Sequence, residues 1–199
     1  MALVNSDDDT DLRIYKPSLA LEYPSREESA DHRRRLKAKI HNAYCKALER
    51  LTVNRNAVMC PLAARVLAGG FCFGLLDPAS NIVVNTLIGG RRNDFAPAAA
   101  GGGVPVAAAE LEDMERRSLE GMVTFLTRLF PYLADCEAER YLLLAGADLL
   151  LAARDIATDR RMRRFGSSEC ATEEALKCAA LAAGHPDPDR LVGAWLACI

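Results

Sequence analysis

The side chains with capacity for chemistry are seven cysteines and three histidines. Cys45, Cys60, Cys72, Cys136, Cys170, Cys178 and Cys198 are odd in number and scattered, so they do not read as a disulfide framework. Unpaired thiols fit a reducing compartment, and the acidic start, Met1 to Asp11, lacks the apolar core of a secretory signal. The expectation is an intracellular protein, cytoplasmic or nuclear. A zinc site needs clustered thiolates and imidazoles, and no two cysteines have C-x2-C spacing. His41 and Cys45, at i and i+4, can share a helix face but have no third ligand nearby in sequence, so no metal or other cofactor is expected. His32, His41 and His185 lie in different kinds of segment, and nothing in their spacing favours a Cys/His dyad. Gly101-Gly102-Gly103 sits in Ala/Pro surroundings, not between a strand and a helix, and reads as spacer and not as a phosphate loop. The chain therefore predicts no enzyme and no small-molecule substrate. One alternative makes Cys72 the nucleophile of a small hydrolase, labelled by electrophiles ahead of the other thiols.

Charge is the second chemical feature. The formal net charge is -2, which argues against bulk nucleic-acid binding. Yet residues 1–28 carry seven acidic and three basic groups, and residues 31–55 carry two acidic and eight basic. An acidic tail precedes a basic helix, whose face holds Arg33, Arg34, Arg35, Lys37 and Lys39. The ordinary reading is a solvated face. The sharper ones are a nuclear-import signal or weak nucleic-acid binding, although no aromatic residues alternate with the charges to stack on bases.

The elements that must position these groups are helices. Ala supplies 33 of the 199 residues, and aromatic residues only 6%. A chain of this length makes one domain able to bury ~68–75% of its unfolded surface. The pattern predicts an all-α, compact bundle of about six to seven helices. Residues 1–29 read as a disordered acidic tail, and 30–199 as one helical domain interrupted by a flexible Gly/Ala/Pro-rich loop at 89–109. Leu36, Ile40, Ala43, Tyr44, Ala47, Leu48 and Leu51 mark a first amphipathic helix. Leu62 to Ala68 makes a short second one, and Ser80 to Ile88 a third behind the Asp77-Pro78 cap. A long helix from Leu111 ends near Pro131. Asp135 then caps a helix running from about Glu137 past Ile156, whose middle, Leu142 to Ala153, is apolar nearly all round and contains Asp148, in need of a partner. Its apolar run, Tyr141 to Ala153, is far short of the ~20 residues a membrane span needs. The cations of Asp159 to Phe165 complement a helix C-terminus. Thr172 caps the next helix, Gly184 stops it, and a last one runs from Asp189.

The least generic stretch is Gly70-Phe71-Cys72-Phe73-Gly74, followed by Asp77, Asn81-Ile82 and Asn85-Thr86-Leu87. Gly70 and Gly74 read as freeing the backbone for a tight reversal, with Cys72 small enough to point inward and Phe71 and Phe73 flanking it. Asp77 caps the following helix. Asn81 and Asn85, at i and i+4, project both amides from one face, either to lock the corner or to meet a partner's backbone.

This pattern resembles the signature of the PIR-two-like helical domain. That domain occurs in uncharacterised grass proteins and in plant RING-type E3 ubiquitin ligases of the MND-interacting-protein kind. Gly70, Cys72, Phe73, Gly74, Asp77, Asn81, Ile82, Asn85 and Leu87 fall on the places of the pattern. The ligases act through a RING domain and carry long coiled coils. This chain has neither the zinc spacing nor sustained heptads, so ligase activity does not carry over. What the resemblance implies is a helical fold and an interaction role near the ubiquitin system. The leading expectation is a non-enzymatic protein–protein interaction module with an unknown protein partner. The alternative is direct ubiquitin binding or a ligase adaptor, since the short helices at 62–88 and 173–196 resemble ubiquitin-associated domains.

Overall fold

The computed structural model describes residues 24–53, 62–89, 107–160 and 169–197. Residues 1–23 of the expected tail, 90–106 of the expected loop and the basic run at 161–165 lie outside the described residues. Among those described, every regular element is a helix: α1 (Arg26–Val53), α2 (Leu62–Gly69), α3 (Pro78–Gly89), α4 (Ala108–Leu129), α5 (Asp135–Leu144), α6 (Leu149–Asp159), α7 (Glu169–Ala182) and α8 (Pro188–Leu196). None is long and apolar enough to cross a membrane.

α1 starts where its backbone donors find acceptors. The Glu28 N–H donates to Ser25 Oγ at 3.2 Å, and the Ser25 N–H to the Glu28 carboxylate at 2.8 Å. This capping box opens the helix at Arg26, four residues before the sequence pattern placed it. Leu36, Ile40, Ala43, Tyr44 and Ala47 are buried, as their spacing predicts. Burying each large apolar side chain contributes ~1.5–3 kcal/mol. This face lies along α3 and α5.

α4 lies chiefly along α7. The face α7 buries is mostly alanine, with Ala175, Leu176, Ala179 and Ala180, and Ala183 follows just beyond its end. Opposite it stands Gly121, where an added Cβ would lie 3.1 Å from the Ala179 carbonyl oxygen. Small residues on both sides bring the two helices close, and here the abundance of alanine has a structural use.

The expected helix from Glu137 past Ile156 is instead two. Gly146 and Ala147 both take the left-handed conformation, with φ of 70° and 69°. Ala147 N–H closes on Leu142 O at 2.8 Å and Ala145 N–H on Tyr141 O at 2.9 Å, so the last carbonyls of α5 are satisfied. Asp148 is then not a carboxylate inside a buried helix. It is the N-cap of α6, accepting the Leu151 N–H at 3.0 Å. The run looked apolar all round because two successive helices each bury their own part of it.

Smaller corrections follow the same logic. α4 ends at Leu129, ahead of Pro131, as expected. The next N-cap is Ala134, whose N–H is held by the Glu137 carboxylate at 2.8 Å, and Asp135 sits inside the first turn. α7 covers Glu169–Ala182, which puts Thr172 within the helix and not at its cap. Asp187 caps α8 by accepting the Arg190 N–H at 3.1 Å.

Candidate functional site

The segment between α2 and α3 is irregular, so its backbone groups need partners from elsewhere. α3 supplies them. Asn85 Nδ2 donates to Phe71 O at 2.7 Å and to Phe73 O at 2.8 Å. Asn81 Nδ2 donates to Cys72 O at 3.1 Å and to Leu76 O at 2.8 Å, while Asn81 Oδ1 accepts the Leu76 N–H at 3.0 Å. Asn85 Oδ1 accepts Trp195 Nε1–H at 3.0 Å. Both side chains are fully buried. The i, i+4 amides thus face one way, as the spacing predicts, and that way is inward onto their own chain.

The two glycines serve space, not conformation. Positive φ among the described glycines occurs at Gly146 and Gly184, not at Gly70 or Gly74. A Cβ on Gly70 would lie 2.7 Å from Thr86 Oγ1 and 2.9 Å from Val66 O. One on Gly74 would meet the Trp195 ring and stand 2.6 Å from Asn81 Oδ1. The expectation that they free a reversal is therefore corrected: each is absent bulk against a close neighbour.

Cys72 is buried, with Sγ 3.7 Å from the Met122 sulfur, and its N–H donates to Ser118 Oγ at 3.2 Å. Burial pushes the thiol up to about 12. A thiol so held is no nucleophile near neutral pH, which removes the support for the Cys72 hydrolase alternative. Tyr44 Oη lies 2.8 Å from Ser118 Oγ, tying α1 to α4 at the same corner, and burial raises the phenol well above its usual range. Phe71 and Phe73 stack with centroids 5.4 Å apart. The Arg117 guanidinium covers Phe71 at 4.9 Å and donates to Ala183 O and Gly184 O, each at 2.7 Å, at the α7 C-terminus. Asp77 caps α3 through the Ser80 N–H at 3.2 Å, and its hydrogen bonds from Ser80 hold the carboxyl below the usual range.

The basic face is largely answered within the chain. Arg33 pairs with Glu139 on α5 through Nε at 3.0 Å. Arg34 lies 3.2 Å and Arg35 3.8 Å from the Asp31 carboxylate. Lys37 is half-buried and Lys39 exposed. His41 and Cys45 do share a face, with Sγ 3.6 Å from Nε2. Sequence reasoning missed Trp195, Ser118 and Arg117 as partners of the corner. Each is far away in the chain, and no local spacing announces it.

Comparison with family models matches the PIR2-like, helical domain over residues 38–157, which takes in α1 from Ala38 through α6 and encloses the Gly70–Leu87 segment. No curated protein and no solved structure matches. α7 and α8 lie beyond the match, although Trp195 completes the hydrogen bonding of Asn85. The match covers more than half of the chain, and the chain belongs to the PIR2-like helical domain family.

Proposed function

We propose that this protein is a non-enzymatic helical module that binds another protein. One observation supports the reading above others: the corner between α5 and α6. Leu144, Leu150 and Leu151 are 63%, 41% and 40% exposed there, within eight residues. The turn between them is held by its own capping bonds, and a Cβ on Gly146 would have nothing within 4 Å. Large apolar side chains left exposed on both sides of one turn support an interaction surface there. The buried amides of Asn81 and Asn85 then serve the frame, and the recognition surface lies elsewhere on the domain.

The finer reading, a link to the ubiquitin system, rests on the resemblance of the Gly70–Leu87 segment to part of plant E3 ligases. Two experiments test these readings. A pull-down with the wild type and a Leu144→Glu/Leu151→Glu variant, both checked by circular dichroism, should lose its specific partners in the variant. Identical recoveries would remove the corner as the binding surface. A titration with ubiquitin followed by NMR should shift resonances of residues 144–151. No shifts up to millimolar ubiquitin would end the direct-binding reading.

A further inference from the structure

We propose that Cys45 is a redox-reactive thiol, set up by His41 and Glu115 for oxidation by hydroperoxides. The three groups come from two helices. His41 and Cys45 are one turn apart on α1, and Glu115 reaches across from α4. Glu115 is only 8% exposed at its side chain, while His41 is 55% exposed. A buried carboxylate accepts hydrogen bonds and donates none, so it calls for an N–H. His41 Nδ1 stands 2.7 Å from Glu115 Oε1 and supplies it. With its proton on Nδ1, the neutral ring keeps a lone pair on Nε2. That nitrogen is 3.6 Å from Cys45 Sγ, within reach of a thiol proton. Thiol, base and orienting carboxylate thus stand in the order that activates a cysteine nucleophile.

The surroundings select the reaction. Cys45 sits within α1, where the backbone N–H groups are committed to the helix. Those committed N–H groups offer no pair of donors for an oxyanion, so the helix gives acyl transfer no support. Reduction of a hydroperoxide needs no such pair. His41 Nε2 takes the thiol proton, and the thiolate sulfur attacks the terminal oxygen of R–O–O–H. An S–O bond forms as the O–O bond breaks. The leaving alkoxide takes the proton back from His41 and departs as an alcohol, or as water when the oxidant is hydrogen peroxide. The sulfur loses two electrons and becomes a sulfenic acid, and the peroxide gains them. Cys45 is half-buried, whereas Cys72 is fully buried with its thiol pushed up to about 12, so one chain holds a poised thiol and an inert one.

The test is labelling of the full chain with iodoacetamide, and separately with hydrogen peroxide and a 1,3-diketone that traps sulfenic acid, read peptide by peptide in a mass spectrometer. Cys45 should react at least about tenfold faster than Cys170, which is exposed on α7, and should carry the sulfenic acid; this margin lies below the ~10²–10⁴ a positioned base supplies. His41→Gln should slow Cys45 about tenfold or more and leave Cys170 unchanged. Glu115 is a positioning residue. Glu115→Gln allows the other ring tautomer, and the labelling of Cys45 should then need a higher pH. Cys170 reacting as fast as Cys45, or a His41→Gln protein with an unaltered Cys45 rate, would overturn the proposal. If either variant fails to fold by circular dichroism, the wild-type ranking of Cys45 against Cys170 decides.

Discussion

Trp195 Nε1 donates to Asn85 Oδ1 at 3.0 Å, although 110 residues separate the two. The bond joins the last helix to the α2–α3 corner. It also completes the hydrogen bonding of an amide whose Nδ2 already serves Phe71 and Phe73. The same indole fills the space beside Gly74. One aromatic side chain therefore seats α8, saturates Asn85 and accounts for a glycine.

Trp195→Phe keeps most of the apolar bulk but leaves the Asn85 oxygen without its donor. The expected cost is ~1–3 kcal/mol, the range for a buried polar group left unpaired. Asn85→Ala strands the Phe71 and Phe73 carbonyls and the indole N–H together, and should cost at least about 3 kcal/mol. Urea unfolding followed by circular dichroism checks both. Equal losses for the two variants would show that the carbonyl contacts carry nothing.

Gly74→Ala tests space against conformation. Its φ is not left-handed, so the penalty should come from the collision with Trp195 and Asn81. Overpacking of this kind costs ~1–3 kcal/mol. Because Trp195 is the sole tryptophan, its fluorescence reports the displacement directly. Destabilisation with an unchanged emission spectrum would refute the steric account.

Tyr132 should be replaceable with profit to stability. It is 99% exposed and has φ of 76°, so it carries the left-handed penalty without burying its ring. Tyr132→Gly or Tyr132→Asn should stabilise the fold by about 1 kcal/mol, the lower end of the cost of a residue held in that region. A raised Tm checks this, and a lowered one would mean that the ring makes a contact worth more than the strain.

His185 predicts a pH dependence. Burial lowers its pKa from the usual 6.5, and Nδ1 accepts the Asp187 N–H at 3.0 Å, which requires that nitrogen unprotonated. Between 6.5 and the lowered folded value the unfolded chain binds the extra proton and the folded chain does not. Stability from this group is complete above 6.5 and falls as pH drops toward the folded value. Thermal melts from neutral pH downward should show the loss, and a His185→Gln variant should show less of it. Identical slopes in the two proteins would assign the acid loss to carboxylates alone.

The helical class, the first amphipathic helix, the end of α4 before Pro131 and the caps at Asp77 and Gly184 were all legible in the chain. Each depends on residues within one or two turns of each other, where spacing and backbone sterics decide. The resemblance of the Gly70–Leu87 segment likewise found the family, because its signature is local. The break at Gly146–Ala147 was less legible. A glycine in an apolar run is a weak signal, and the left-handed turn also takes in Ala147, a residue type that does not announce one. What Gly74 avoids, what Asn85 receives and what orients His41 depend on Trp195 and Glu115. Those residues reach their partners only through the packing of α8 against α3 and of α1 against α4. Local chemistry wrote the helices and their ends, but contacts between distant residues have no spacing to read, and only the tertiary fold assigned each buried polar group its partner.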